Sequence, residues 1–284
     1  MILVITGPTG VGKTRLSIEL AHRYNAIIIN CDAMQVYKGL DIGTAKITEE
    51  EKEGISHFMF DIANVTDNFT VKDYQSQARK ILEKYQNRNI IIVGGTGLYL
   101  KALLYDYNFL EEHGIKHDYS SYTNEELLSM CKNIDSTCDI HVNNRVRLER
   151  FLERGTKPVS NSEELYKAIY IGLTTNREKL YKIIDNRVLK MIDSGLIDEV
   201  KKFYDKGIRC KALKTGIGYK ELYDYFDNKC SLEEAIETIQ KNSRHYAKRQ
   251  YTFFNHQLPV KWFEVNYENF TKTINDVIKY IENY

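Results

Sequence analysis

Ile2-Leu3-Val4-Ile5-Thr6-Gly7-Pro8-Thr9-Gly10-Val11-Gly12-Lys13-Thr14 decides the fold of this 284-residue chain. Ile2 to Ile5 form a short continuous apolar run, as expected of a strand buried on both faces of a parallel sheet. From Gly7 to Thr14 the chain fits the pattern G-x-x-x-x-G-K-[ST]. Its glycines let backbone N–H groups wrap a phosphate, Lys13 adds positive charge, and the Thr14 hydroxyl can bind Mg2+. With glycine at ~7% of residues, a chance match in a chain of this length is on the order of 1%. This match also stands between strand and helix signals, the context the motif requires. Gly7, Pro8, Thr9, Gly10, Val11, Gly12, Lys13 and Thr14 are therefore expected to bind a phosphate or diphosphate.

Outward from this loop, Ala26-Ile27-Ile28-Ile29 and Ile90-Ile91-Ile92-Val93 repeat the buried-strand signal. Between them Val71, Tyr74, Ala78, Ile81, Leu82 and Tyr85 share one helical face. Alternating strands and helices predict an α/β fold, a P-loop NTPase-like core with a parallel sheet. From Tyr107 to Ser162 the buried runs vanish, and polar helices predict a mainly helical insertion domain. The expected organisation is a core of residues 1–106 and 163–284 interrupted by an insertion, 107–162. Ala168 to Leu173 reads as the returning strand. Helical periodicity follows at Leu180, Ile183, Ile184, Met191 and Ile192, and Gly195 ends or kinks that helix. A long helix is expected over Leu232–Phe254 and a last strand over Trp262–Val265.

Composition narrows the class. With 43% hydrophobic residues and only 3 prolines, neither disorder nor a collagen-like repeat is expected. No run approaches the ~18 apolar residues of a membrane span, and the N-terminus carries no secretory pattern. Five scattered cysteines without C-x-x-C predict neither a disulfide framework nor a zinc knuckle. The expected location is the cytoplasm. Forty basic residues against 39 acidic ones give a net charge of +1, so attraction to a polyanion must be local.

The chemistry departs from a nucleotide hydrolase. The ATP-binding reading of such a loop calls for a Walker B carboxylate after an apolar strand. Ile90–Val93 runs instead into Gly94-Gly95-Thr96-Gly97. The carboxylate follows another strand, Ile27-Ile28-Ile29-Asn30-Cys31-Asp32. Ligands of open α/β sheets bind beyond the carboxyl ends of the strands, so Asp32 and Thr96 should face the phosphate loop. Asp32 is then a metal ligand, a general base, or an N-cap of the next helix.

Residues in five further stretches complete a pattern. They are Asp32–Lys46 (DAMQVYKGLDIGTAK), Val93–Tyr99 (VGGTGLY), Gly155–Pro158, Ile217–Lys220 and Tyr246–Gln250, together with Gly7–Thr14. In this order, over nearly the whole chain, they resemble the tRNA dimethylallyltransferases, or tRNA isopentenyltransferases. Ala33 replaces the serine usual in that family, and His141-Val142-Asn143-Asn144 stands where the family has H-P-N-D. The resemblance implies transfer of a dimethylallyl group from dimethylallyl diphosphate to N6 of adenine 37, beside the anticodon. It implies Asp32, Lys13 and Thr96 as catalytic residues, and Mg2+ at Thr14. It also implies tRNA contacts through Asp32, Ala33, Met34, Gln35 and Thr96.

The residues themselves suit that chemistry. Exocyclic N6 is a poor nucleophile, and a carboxylate that takes its proton as the bond forms contributes ~10²–10⁴-fold. Lys13 and the loop amides can stabilise charge growing on a departing diphosphate. Gln35 can read adenine through paired hydrogen bonds. Three basic clusters point to a polyanion track. The first holds seven cations from Lys201 to Lys220 against Asp205 alone, and the second holds Arg145, Arg147, Arg150, Arg154 and Lys157. The third is Lys241, Arg244, Lys248 and Arg249. Arg147, Arg150, Lys157, Arg244, Lys248 and Arg249 are the expected contacts to a tRNA anticodon arm, made by a monomer. The competing readings are a P-loop small-molecule kinase using ATP and a prenyltransferase acting on free adenine nucleotide.

Overall fold

The computed structural model describes residues 1–109, 117–154 and 160–284. The chain divides into two compact units, Met1–Leu104 with Leu165–Tyr284, and Tyr105–Glu164.

The larger unit begins with β1 (Ile2–Thr6), α1 (Lys13–Tyr24), β2 (Ala26–Asn30), β3 (His57–Phe58), α2 (Val71–Lys84), β4 (Asn89–Val93) and α3 (Gly97–Leu104). The smaller unit holds β5 (Tyr105–Tyr107), α4 (Asn124–Ile134), α5 (Arg145–Arg154) and β6 (Ser160–Glu164). The larger unit then resumes with β7 (Ile169–Thr174), α6 (Arg177–Asp193), α7 (Leu196–Asp205), α8 (Lys211–Thr215), α9 (Tyr219–Phe226), α10 (Leu232–Gln257), β8 (Lys261–Glu264) and α11 (Phe270–Glu282).

Six strands of the larger unit form one sheet in the order β3-β2-β4-β1-β7-β8, with every pairing parallel. The cover on both faces follows from the residues. Ala26–Asn30 is buried throughout, as are Leu3 to Thr6, so these strands must be covered on both faces. Helices supply the cover, with Leu16, Leu20, Ile274 and Val277 packed into the same core as Leu3, Ile5, Ile28 and Ile171. Truncating one such side chain to alanine costs about 2–5 kcal/mol. Reciprocal capping boxes start α2 at Thr70 and Asp73 and α10 at Ser231 and Glu234. The central β1 turns sharply at Gly7, whose φ is +131° and where an added Cβ would lie 2.4 Å from the Leu173 carbonyl oxygen. Only glycine lets the loop leave the sheet pressed so tightly against β7.

In the smaller unit, α4 and α5 bury Leu127, Cys131, Cys138, Leu148 and Phe151 against one another. A short antiparallel pair, β5 with β6, was not expected from the sequence. Tyr105–Tyr107 is too short to show a period-two pattern, and Ser160-Asn161-Ser162-Glu163-Glu164 has no β-branched or aromatic residue. That strand forms through its pairing rather than its propensity. No helix among the described residues is long and apolar enough to cross a membrane.

Candidate functional site

Three loops at the carboxyl edge of the large sheet converge, and each is fixed by the residues that build it. After β2, the buried Asn30 side chain accepts from the Asp32 N–H at 3.1 Å and donates to the Met59 carbonyl at 2.9 Å. Asp32 Oδ1 accepts from the Met34 N–H at 2.9 Å, which closes a turn. The segment from Asp32 to Lys38 runs as turns and an isolated bridge, so Asp32 caps no helix. After β4, Thr96 Oγ1 accepts from the Ala33 N–H at 3.0 Å and ties the two loops together. The Tyr246 hydroxyl on α10 sits beside Thr96 and Asp32, and burial pushes its pKa up.

After β1, the phosphate loop curls over the start of α1. Lys13 Nζ donates to the carbonyls of Gly7 at 3.0 Å and Pro8 at 2.7 Å. Burial and the neighbouring Arg187 guanidinium push its pKa down to about 7, while Asp32 pulls in the other direction. Arg187 on α6 is itself lowered by burial and supported by Asp32. The buried Gln250 braces the loop from α10, accepting from the Thr9 N–H at 3.2 Å and donating to Gly95 O at 3.1 Å.

Two cavities meet here. One, of about 790 Å³, is lined by Thr9, Gly10, Gly12, Lys13, Thr14, Gln35 and Gln250. The other, of about 370 Å³, has a more apolar wall that includes Met34, Val188, Met191, Leu196, Ile217 and Ile239, and it also holds Ala33, Thr96 and Arg249. Thr9, Asp32, Thr44, Arg187 and Tyr246 line both. Asp32 therefore stands between a polar, cation-bearing chamber and an apolar one. Thr96 opens on the second chamber, which the phosphate loop reaches through Thr9.

Gln35 is differently engaged than its sequence position suggested. Its Nε2 donates to Thr44 O at 3.0 Å and Ala45 O at 3.3 Å. Among the described residues, Oε1 has no partner, so the side chain offers an acceptor and not a donor–acceptor pair. The expected RNA contacts fall into different situations. Arg147 and Arg150 lie exposed on α5, outside any ion pair among the described residues, while Lys157 lies outside the described residues. Arg244 is engaged by Asp185. Lys248 is exposed, and Arg249 stacks over the Tyr246 ring at 5.6 Å on the rim of the apolar chamber.

Sequence reasoning missed Arg187, and it gave Tyr246 and Gln250 no role in the site although both lie in a stretch that carries the family resemblance. Arg187 shares a helical face with Ile183, Ile184 and Met191, and Gln250 shares one with Ala247 and Phe254. A polar residue on an apolar stripe was the available signal.

Residues 35–257 match the model of a family described as IPP transferase. A tRNA dimethylallyltransferase of Anoxybacillus flavithermus is 46% identical over 99% of this chain and 96% of that protein. The Bacillus subtilis protein of the same name is 43% identical, covering 93% and 90%. Among solved structures, a Bacillus halodurans tRNA isopentenylpyrophosphate transferase superposes with a TM-score of 0.78 at 41% identity, covering 99% and 95%. A eukaryotic dimethylallyltransferase acting on tRNA gives 0.76 at 25% identity, covering 92% of this chain and 73% of its own.

Proposed function

The chain belongs to the IPP transferase family, a transferase that prenylates adenine 37 of tRNA, and from that premise we propose how its own residues perform the reaction. The observation that carries the proposal is the place of Asp32 and Arg187, where the cation-bearing chamber meets the apolar one.

The diphosphate of dimethylallyl diphosphate lies on the loop amides of Gly7–Thr14, between Lys13 and Arg187. Adenine enters from the apolar chamber, past Met34, Thr96 and Tyr246. The N6 lone pair forms the new C–N bond as the allylic C–O bond breaks, and that electron pair leaves on diphosphate. One N6 proton passes to Asp32, while the free Oε1 of Gln35 accepts the other N6–H. One bond from Gln35, rather than the paired readout expected from sequence, is what its engaged Nε2 leaves available. Lys13 and Arg187 stabilise the growing diphosphate charge in a partly desolvated site.

The oxygen donors here suit Mg2+. Thr14 brings a hydroxyl to the same chamber as the Asp32 carboxylate, and no cluster of three His, Cys, Asp or Glu exists among the described residues. Such an ion would be held by Thr14 together with substrate oxygens, as Mg2+ usually is. When bound, it supplies charge neutralisation to the leaving diphosphate.

The acceptor is an anticodon arm, whose target base must leave its stack to meet a half-buried carboxylate. Lys248 and Arg249 beside the apolar chamber, with Arg147 and Arg150 on α5, supply backbone contacts. The enzyme is proposed to act as a monomer, in the cytoplasm. Incubation with dimethylallyl diphosphate and unmodified tRNA, followed by nucleoside mass analysis, should yield N6-isopentenyladenosine. Product from free adenine nucleotide alone, or phosphorylation of a small acceptor by ATP, would replace this reading with one of its rivals.

A further inference from the structure

Glu199 is a buried carboxylate on α7 that lines neither cavity, yet four hydrogen bonds converge on it. Its Oε2 accepts the N–H groups of Asp41 at 3.0 Å and Ile42 at 2.7 Å, and its Oε1 accepts that of Gly43 at 3.1 Å. The Tyr219 hydroxyl on α9 donates to Oε1 at 2.6 Å. Three successive amides pointing at one anion form a nest, here filled from within the protein. Such a carboxylate without these donors would carry a large desolvation cost, so each of the four bonds offsets part of it.

The same segment reaches the site two residues on. The Thr44 and Ala45 carbonyls are the acceptors for Gln35 Nε2, and Thr44 O also lies 3.5 Å from Arg187 Nη2. The segment cannot relax sideways. Tyr219 packs so closely on Gly43 that an added Cβ would lie 2.7 Å from its ring. Below, the buried Lys46 donates to Tyr37 O, Asp41 and Asp61.

We infer that Glu199, with Tyr219, is a positioning residue that fixes the Asp41–Ala45 segment and through it the acceptor face of Gln35. The inference rests on the adenine-binding role proposed for Gln35. Glu199→Gln puts an NH2 group against backbone N–H donors while keeping the side chain's size. The loop should shift, and because an error of about 1 Å at a reacting group costs up to ~10²-fold, kcat/KM for tRNA should fall roughly 10- to 100-fold.

The decisive experiment is a double-mutant cycle of Glu199→Gln with Gln35→Ala, read as kcat/KM for tRNA, with melting temperatures alongside. Ile274→Ala, a core truncation on α11 that lines neither cavity, calibrates what lost stability alone does to turnover. Tyr219→Phe, which removes one bond of the four, serves if Glu199→Gln fails to fold. Supporting the inference, either variant costs turnover beyond the Ile274→Ala calibration, and most of that cost disappears when Gln35 is already alanine. Additive losses, a loss no greater than the calibration, or an unaltered kcat/KM in Gln35→Ala each overturn it. Wild-type turnover in the same assay keeps this outcome separate from the reaction itself, since only a wild type that makes no prenylated adenosine would fault the proposed function.

Discussion

The proton on Lys13 offers a perturbation that needs no mutation. Burial and Arg187 bring its pKa down to about 7 in the free protein, so near neutrality the amine is about half protonated. A bound diphosphate favours the ammonium, so the donor should draw a proton onto Lys13. At pH 9, two units above the midpoint, roughly 1 in 100 free molecules carries the ammonium, and donor affinity should fall ~50-fold from its value at pH 7, about 2.3 kcal/mol. The donor's own ionisation does not compete there, because a phosphate's second pKa is about 6. Calorimetry at pH 8.5 in two buffers of different ionisation enthalpy should return an uptake close to one proton per donor bound. At pH 7 the uptake should be about half a proton. No uptake at pH 8.5, with affinity flat from pH 7 to 9, would refute the placement of Lys13 beside Arg187 in a desolvated site.

Removing Arg187 as Arg187→Gln should weaken donor binding and also move that midpoint upward, because its charge is one of the two causes holding Lys13 low; an unmoved midpoint counts against the pairing. Lys13→Met should lose turnover yet melt higher than wild type at pH 7. A lysine lowered in the fold is protonated in the unfolded chain between about pH 7 and its ordinary value of 10.5, so stability rises with pH across that window and the mutant's advantage should shrink there; scanning calorimetry at pH 7 and 10 checks it. Gln250→Leu leaves the Thr9 N–H and Gly95 carbonyl without their partner, at about 1–3 kcal/mol for each buried group, so both melting temperature and donor affinity should drop. Reversing the charge of Arg147 and Arg150 should weaken tRNA binding and flatten its salt dependence, as fewer counterions are released; wild-type affinity and slope in the folded double variant would remove α5 from the RNA track.

How much was legible in the sequence follows from what each feature needs. The sheet and phosphate loop were readable because their signals are local: buried strands write continuous apolar runs, and the loop's glycines sit at fixed spacing. Asp32 was readable because it ends such a run. The roles of Arg187 and Gln250 were not, since a single polar residue on a helical stripe becomes meaningful only when another element brings a loop against it. Gln35 shows the same boundary. Its identity was visible, but the Thr44 and Ala45 carbonyls that consume its donor lie on a segment whose path is set by Glu199, far along the chain. The β5–β6 pair was hidden for a related reason, since its strands are specified by each other.

The central claim is that Asp32 takes the N6 proton at the junction of the two chambers. Single-turnover prenyl transfer to tRNA by Asp32→Asn, with donor affinity measured in parallel by calorimetry, tests it most directly. Asparagine keeps the size and an acceptor for the Met34 N–H but cannot take a proton. The predicted result is a chemical step slowed roughly 10²-fold or more, with donor affinity nearly unchanged. A single-turnover rate equal to wild type would contradict the account and leave Asp32 as a turn-forming residue.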